Sequence, residues 1–452
     1  MKLTDTKYSI MKTGIPETDK PRIVIVGCGF GGLQLAKALP NKDVQIVMID
    51  KHNYHTFQPL LYQVSTAGLE ADSIAYPIRK IFKGQKNFIF RWCEVKKINS
   101  DKNEIETSVG NLNYDYLVIA TGTTTNFFGI EGLAEKAMPM KTVTEALNLR
   151  SLVLQNFEKA LLTSDIREQE ALMTFAIVGG GPTGVELAGA LCELKNHVLP
   201  ADYPELDLRK MRVILVESGK EVLQNMLPEN QVKSLSYLKE LGTEVWLDVR
   251  VTKYDGRVVY TAGGKEISTY NLIWTAGVKG QVISGLPEES AIRGRYVCNE
   301  INQVHSFENI FAIGDVALQQ HEEKYPKGHP QVAPVAMQQG QLLAKNILRL
   351  IQQKPLMPFS YFDKGSMATI GRNKAVVQVN NMKFGGFLGW LVWMGLHLLM
   401  LVGFRNKIVV LINWIWNYIN YDRNIRLIIR PYEQKQNNSA PIKAKELSIT
   451  QS

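Results

Sequence analysis

Residues 22–39 read RIVIVGCGFGGLQLAKAL. Four β-branched residues, 23–26, run into Gly27-Cys28-Gly29-Phe30-Gly31-Gly32, and a helical pattern follows. Strand, G-x-G-x-x-G and helix in that order are the signature of a dinucleotide-binding unit, with Gly27, Gly29 and Gly32 in the three glycine positions. The first glycine permits a tight turn, the second lets a pyrophosphate approach the backbone, and the third lets helix pack on strand. The pyrophosphate then faces unpaired N–H groups at the helix start. The next apolar strand, VQIVMID, ends in Asp50, 18 residues past Gly32. An acid there accepts both hydrogen bonds of a ribose diol. Phe30, Gly31 and Lys51 complete the candidate contacts of this loop.

The same grammar returns in FAIVGGGPTGVELAGAL, residues 175–191, with Gly179, Gly181 and Gly184 in the fingerprint positions. Its following strand, MRVILVES, carries Glu217 near its end. Each copy closes on a similar strand, YDYLVIATG to Gly122 and YNLIWTAG to Ala276-Gly277, 95 and 98 residues from the first glycine. One such loop is weak evidence, but two complete copies are strong. Two dinucleotide sites in one chain imply a flavoprotein with one FAD, tightly held, and one exchangeable nicotinamide nucleotide. After the second copy, NIFAIGDVA places Gly314-Asp315 at a strand end. If the chain returns there to the first unit, Asp315 reaches the flavin's ribityl or phosphate region. The first unit then holds FAD and the inserted unit holds the nucleotide, whose ribose hydroxyls Glu217 accepts. The same charge repels a 2′-phosphate, favouring NADH over NADPH.

The expected class is therefore α/β, with two Rossmann-like domains and a C-terminal membrane-associating helical segment. The divisions are an extension, 1–20; an FAD domain, 21–140 and 286–365; an NADH domain, 141–285; a membrane-anchoring region, 366–430; and a flexible tail, 431–452. Composition agrees with a globular chain: 452 residues, 45% hydrophobic and 21% charged. The net charge is +9, and residues 372–452 carry 11 Lys/Arg against 3 Asp/Glu. Apolar runs between those bases suit an anionic lipid leaflet better than nucleic acid. Cys28, Cys93, Cys192 and Cys298 form no CxxC pair and no metal spacing, so neither a dithiol relay nor a metal or iron–sulfur centre is expected. The N-terminus lacks an apolar leader segment, which favours the cytoplasmic side of a bacterial cell.

Several stretches resemble one family, the type II (alternative, single-subunit) NADH:quinone oxidoreductases. They include NYHTFQPLLYQVSTAGL (53–69), ATGTTTNFFGI (120–130), GGGPTGVELAGAL, WTAGV, FAIGDVA, VAPVAMQQGQLLAKNI (332–347), KGSMATIGRNKAV (364–376) and the apolar tail. The likeness spans roughly residues 20–430. It implies non-covalent FAD, NADH as donor, menaquinone or ubiquinone as acceptor, no proton pumping, and attachment to the cytoplasmic face of the plasma membrane; a homodimer is allowed. It carries catalytic roles onto Glu186, Gln338 and Lys364, with Glu186 also beside the nicotinamide, and a quinone site onto Ala333, Pro334, Met337 and Gln338. The family's first glutamine in that motif is here Pro334, which has no donor. Gln338 also reads as a helix-face amide, and Glu186 as a helix-start acid favoured by the dipole.

Residues 384–404, FGGFLGWLVWMGLHLLMLVGF, are 21 without a formal charge, and a second, 12-residue apolar segment from Ile408 follows after RNK. The second segment is too short to return across a bilayer, and bases flank both sides, so the pair is expected to lie in one leaflet. Trp390, Trp393, Trp414, Trp416 and Tyr418 suit the interface, and His397 reads as an interface histidine rather than a ligand. Rival readings are a sulfide:quinone or ferredoxin reductase and a membrane-bound nucleotide sensor without turnover. The first needs reactive cysteines, the second needs no tail, and the third leaves two complete fingerprints unused.

Overall fold

A computed structural model of the chain describes residues 13–380, 382–421 and 425–433. Most of the expected N-terminal extension, Arg423 and the tail beyond residue 433 lie outside the described residues. Two five-stranded parallel sheets organise the rest. The first runs Ile310–Ala312, Tyr116–Ile119, Arg22–Val26, Gln45–Asp50 and Phe88–Trp92. The second runs Met138–Pro139, Asn271–Trp274, Thr174–Val178, Arg212–Val216 and Glu244–Trp246. Their central strands are buried from end to end. Parallel strands covered on both faces need unbroken apolar runs rather than alternation, which is what these residues supply.

The chain leaves the first sheet after Tyr116–Ile119, builds the second, and returns with Ile310 paired to Leu117. Outgoing Thr123–Thr125 and returning Val278–Gly280 pair antiparallel where it crosses. Met138–Pro139 already belongs to the second sheet, so the crossover falls just ahead of the boundary expected at residue 141. Helix α1, Phe30–Lys37, follows the first glycine loop, and α2, Pro182–Glu193, follows the second. Helix α3, Ala333–Ile351, lies against α1, with Gly340 against the Gly31 carbonyl.

The region from residue 366 begins with a three-stranded antiparallel sheet that hydropathy did not announce: Ser366–Thr369, Ala375–Val379 and Met382–Gly385. Helices α4, Gly386–Met400, and α5, Phe404–Asn420, complete it. The 21-residue uncharged run is thus divided between a strand end, a 15-residue helix and a turn. At about 1.5 Å per residue, α4 is far shorter than the ~30 Å hydrocarbon core. Among the described residues no helix is long and apolar enough to cross a membrane. Each helix buries one stripe at i, i+4, i+8: Gly389, Trp393 and His397 on α4, Asn406, Val410 and Trp414 on α5. The opposite faces stay exposed, with Leu388, Leu399, Phe404, Ile412, Ile415 and Ile419 all more than half accessible.

Candidate functional site

The two glycine loops are the same structure made twice. Gly27 and Gly179 adopt φ of +108° and +113°, a region that admits little but glycine. The Gly27 N–H donates to the Ile49 carbonyl at 2.8 Å, and Gly179 N–H to Val216 at 2.8 Å. A Cβ on Gly32 or Gly184 would overlap the carbonyl oxygen of Gly27 or Gly179. A Cβ on Gly29 or Gly181 would meet nothing within 4 Å. The loops are therefore closed on the protein side and open on the other. No side chain caps α1 or α2, and neither has an acid in its first turn. Free N–H groups over open space, at the positive end of a helix dipole, fit a pyrophosphate in both units.

The two acids correspond as well. Asp50 accepts from Cys28 N–H and His52 N–H, both at 2.7 Å. Glu217 accepts from Gly180 N–H at 2.6 Å and Gly219 N–H at 2.7 Å. Main-chain donors fix each carboxylate. Glu217 Oε1 also accepts from the Ser218 hydroxyl at 3.2 Å and the Gln224 amide at 3.4 Å, which leaves Oε2 and the Asp50 carboxylate with lone pairs for a ribose diol. Ala276 packs against Gly179, while Gly277 is exposed at the same edge, next to Phe128. Lys51 is exposed and receives the Trp92 indole N–H on its carbonyl at 2.8 Å. Phe30 meets the His55 ring edge-on at 5.3 Å. His55, buried against the Cys28 carbonyl at 2.8 Å, is pushed down to about 4 by desolvation and stays neutral.

Gly314-Asp315 closes on the first loop. The missing Cβ of Gly31 faces Ile313 and the Ala336 carbonyl, and Asp315 accepts from the Thr123 hydroxyl at 3.2 Å. The Gly314 N–H donates to Gln339 at 2.7 Å, and Gln339 donates to Gln319 at 2.6 Å, both glutamines being buried. Gly122, at φ +66°, has open space on its Cβ side. Ala333, Pro334 and Met337 are half-buried in the first turns of α3. Gln338 uses both ends of its amide on Phe362, donating to its carbonyl at 2.9 Å and accepting its N–H at 3.0 Å. Lys364 is exposed and does not line the cleft described next.

Glu186 faces away from its own loop. One turn into α2, its buried carboxyl lies against the Thr369 main chain and the Trp393 indole. Burial pushes its pKa up to about 8, so the group is mostly protonated at neutral pH. It lines a cleft of ≈ 810 Å³, counted out to its open mouth, together with Tyr62, Arg372, Trp390, Trp393 and Trp414. Trp414 is fixed by its indole N–H to Gln63 at 2.8 Å. Trp393 stacks on His397 at 4.1 Å, and the His397 Nδ1 lies 2.7 Å from the Trp393 carbonyl. Desolvation pushes His397 down to about 4, which keeps this wall uncharged.

Trp393 and Trp414, expected at a lipid interface, are instead buried and turned into the cleft, whereas Trp416 is about half exposed. Sequence reasoning also missed Tyr62 and Arg372. The i, i+4, i+8 stripe ending at Trp414 was a signal for the α5 wall alone, since neither Tyr62 nor Arg372 lies on it. All four cysteines are buried and unpaired, so no dithiol stands beside the site. Among the described residues no three His, Cys, Asp or Glu are grouped to hold a metal.

A family model described as pyridine nucleotide-disulphide oxidoreductase matches residues 21–340, and one described as NDH2 C-terminal domain matches residues 364–421. The type II NADH:quinone oxidoreductase Ndh of Mycobacterium tuberculosis is 36% identical over 418 residues, covering 89% of each chain. The type II NADH:quinone oxidoreductase of Staphylococcus aureus is 29% identical over 377 residues, 81% of this chain and 92% of that one. A solved structure of NDH2 from Plasmodium falciparum in complex with NADH superposes with a TM-score of 0.84 at 21% identity, covering 91% of this chain and 100% of the other. At that identity the likeness speaks for the fold.

Proposed function

Because the chain belongs to the type II NADH:quinone oxidoreductases, we propose that it oxidises NADH through FAD and reduces a menaquinone or ubiquinone at the membrane surface, without pumping protons. One observation carries the reading. Helix α2 begins at the second dinucleotide loop and, one turn later, places Glu186 in the wall of an aromatic cleft. A single helix thus joins the donor side to a separate apolar site.

The first loop, with Asp50, Gly122, Gly314 and Asp315, suits FAD, since the returning strand brings Asp315 only to that unit. The second, with Glu217 and Ala276-Gly277, suits NADH. FAD, when bound, accepts a hydride from NADH and passes two electrons on. The chain's own contribution is positioning and proton supply. Main-chain N–H groups hold pyrophosphates, and Asp50 and Glu217 orient riboses. Protonated Glu186 gives a proton to a quinone oxygen in the cleft and is reloaded from water. The sum balances as NADH, one proton and quinone giving NAD⁺ and quinol.

The exposed apolar faces of α4 and α5 suit one leaflet of an anionic membrane, with Trp416 at headgroup depth and Arg405 and Arg430 beside lipid phosphates. The cytoplasmic face of a bacterial plasma membrane is where NADH and quinone are both within reach. The test is steady-state turnover with a membrane-type quinone, using NADH and then NADPH. NADH turnover at least about tenfold faster than NADPH turnover is expected from Glu217. Equal use would remove that role, and no turnover with any quinone would sink the reading.

A further inference from the structure

Among the described residues, Arg372 is the one cation lining the aromatic cleft. It follows Gly371 in the turn between Ser366–Thr369 and Ala375–Val379. Its guanidinium lies between two aromatic rings, 3.8 Å from the Tyr418 centroid and 4.2 Å from that of Tyr421. Its Nη2 donates to the Tyr418 carbonyl and its main-chain N–H to Glu193. Nε and Nη1 are buried and have no hydrogen-bond partner. Stacking compensates part of the charge's desolvation, but buried donors left unpaired remain costly. A guanidinium cannot relieve that cost by losing its proton. An acceptor reaching it from the cleft would complete its surroundings.

The cleft is lined by Trp390, Trp393 and Trp414, and its polar wall includes the Glu186 carboxyl and Arg372 beside Gln63, Thr66, Glu193 and Asn417. A para-quinone has a flat ring with one carbonyl oxygen at each end. We propose that Arg372 is a quinone-binding residue, donating from Nε and Nη1 to the carbonyl oxygen opposite the one that Glu186 serves. This rests on the quinone reading above. The two groups then differ in task. As two electrons enter the quinone, Glu186 hands one oxygen a proton, while Arg372 holds the charge on the other until water supplies the second. The products are quinol and a carboxylate that water reprotonates. Of the two protons drawn from water, one is balanced by the hydrogen of the NADH hydride, which leaves as a proton, so net uptake is one.

The test uses the complete flavoprotein and the tryptophans already in the cleft. Quenching of tryptophan fluorescence is titrated with a short-chain benzoquinone and with its 1,4-dimethoxybenzene analogue, which lacks the carbonyls. Wild type, Arg372→Met and Arg372→Lys are compared, and flavin bleaching by NADH is timed for each. Arg372→Met is expected to bind the quinone about tenfold or more weakly. It should bind the analogue as wild type does and bleach with NADH within about twofold. Arg372→Lys, charged but without the fork, should fall between. Unchanged quinone affinity in Arg372→Met overturns the assignment and leaves Arg372 a clamp for the end of α5. Equal loss of quinone and analogue also overturns it, because the cleft itself would have changed shape. Wild type that binds neither compound, and is not re-oxidised by quinone, overturns the acceptor reading beneath it.

Discussion

At the scale of a single residue, the proposed proton donor Glu186 owes its character to burial. Its ordinary pKa of 4.5 is raised to about 8, chiefly because its charged form is desolvated. Below pH 4.5 the carboxyl is protonated folded or unfolded, and its contribution to stability is fully present. That contribution falls as pH rises toward 8 and is lost above it, because folding must then hold a buried carboxylate. Glu186→Gln removes the slope. In melting curves from pH 5 to 8.5, the variant should gain on wild type as pH rises, and a constant difference would contradict the placement. Quinone reduction in wild type should slow as pH passes about 8, while the variant's residual rate stays flat. The glycines were legible because their requirement lies in the backbone, and a turn at φ > 0 or a strand carbonyl in van der Waals contact accepts no Cβ. The roles of Gln338 and Trp393 were not, because they depend on how a helix is rotated. Gln338 faces Phe362, and Trp393 faces Glu186 rather than lipid.

At the scale of elements, close helix contacts carry the first unit. Gly340 on α3 meets the Gly31 carbonyl and, at 3.1 Å from its would-be Cβ, the Leu35 nitrogen on α1. Gly340→Ala must push two backbones apart, at a cost of about 1–3 kcal/mol. Because the contact lies beside the first loop, flavin release on dilution should also quicken; an unchanged urea midpoint would refute the contact. Helix α5 is tied on differently. The buried Asn406 amide donates to the carbonyls of Asp72 at 2.9 Å and Ser73 at 3.1 Å. Asn406→Leu strands those acceptors and should cost about 1–3 kcal/mol. Limited proteolysis should then cut near α5 first. The βαβ units were readable from buried apolar runs and their end signals. The sheet starting at Ser366–Thr369 was not, since its three short strands carry little periodicity and are fixed by packing against α2 and α4.

On the scale of the molecule, the two nucleotide units and the C-terminal helices meet around Glu186, with an apolar surface at the far side of those helices. That face should hold the protein on vesicles. Leu399→Glu with Ile412→Glu, at 73% and 58% accessibility, replaces two of its exposed side chains by charges. Wild type is expected to sediment with anionic vesicles and the double variant to remain in solution, with NADH bleaching unaffected. Co-sedimentation of both would place the membrane contact elsewhere. The central claim is that one chain takes electrons from NADH at one site and gives them to a quinone at another. The most direct test is anaerobic stopped flow in two halves, flavin bleaching by NADH and then re-oxidation by a membrane-type quinone. Rapid bleaching followed by rapid, complete re-oxidation is the expected result. A flavin that NADH bleaches but quinone leaves reduced would contradict the account.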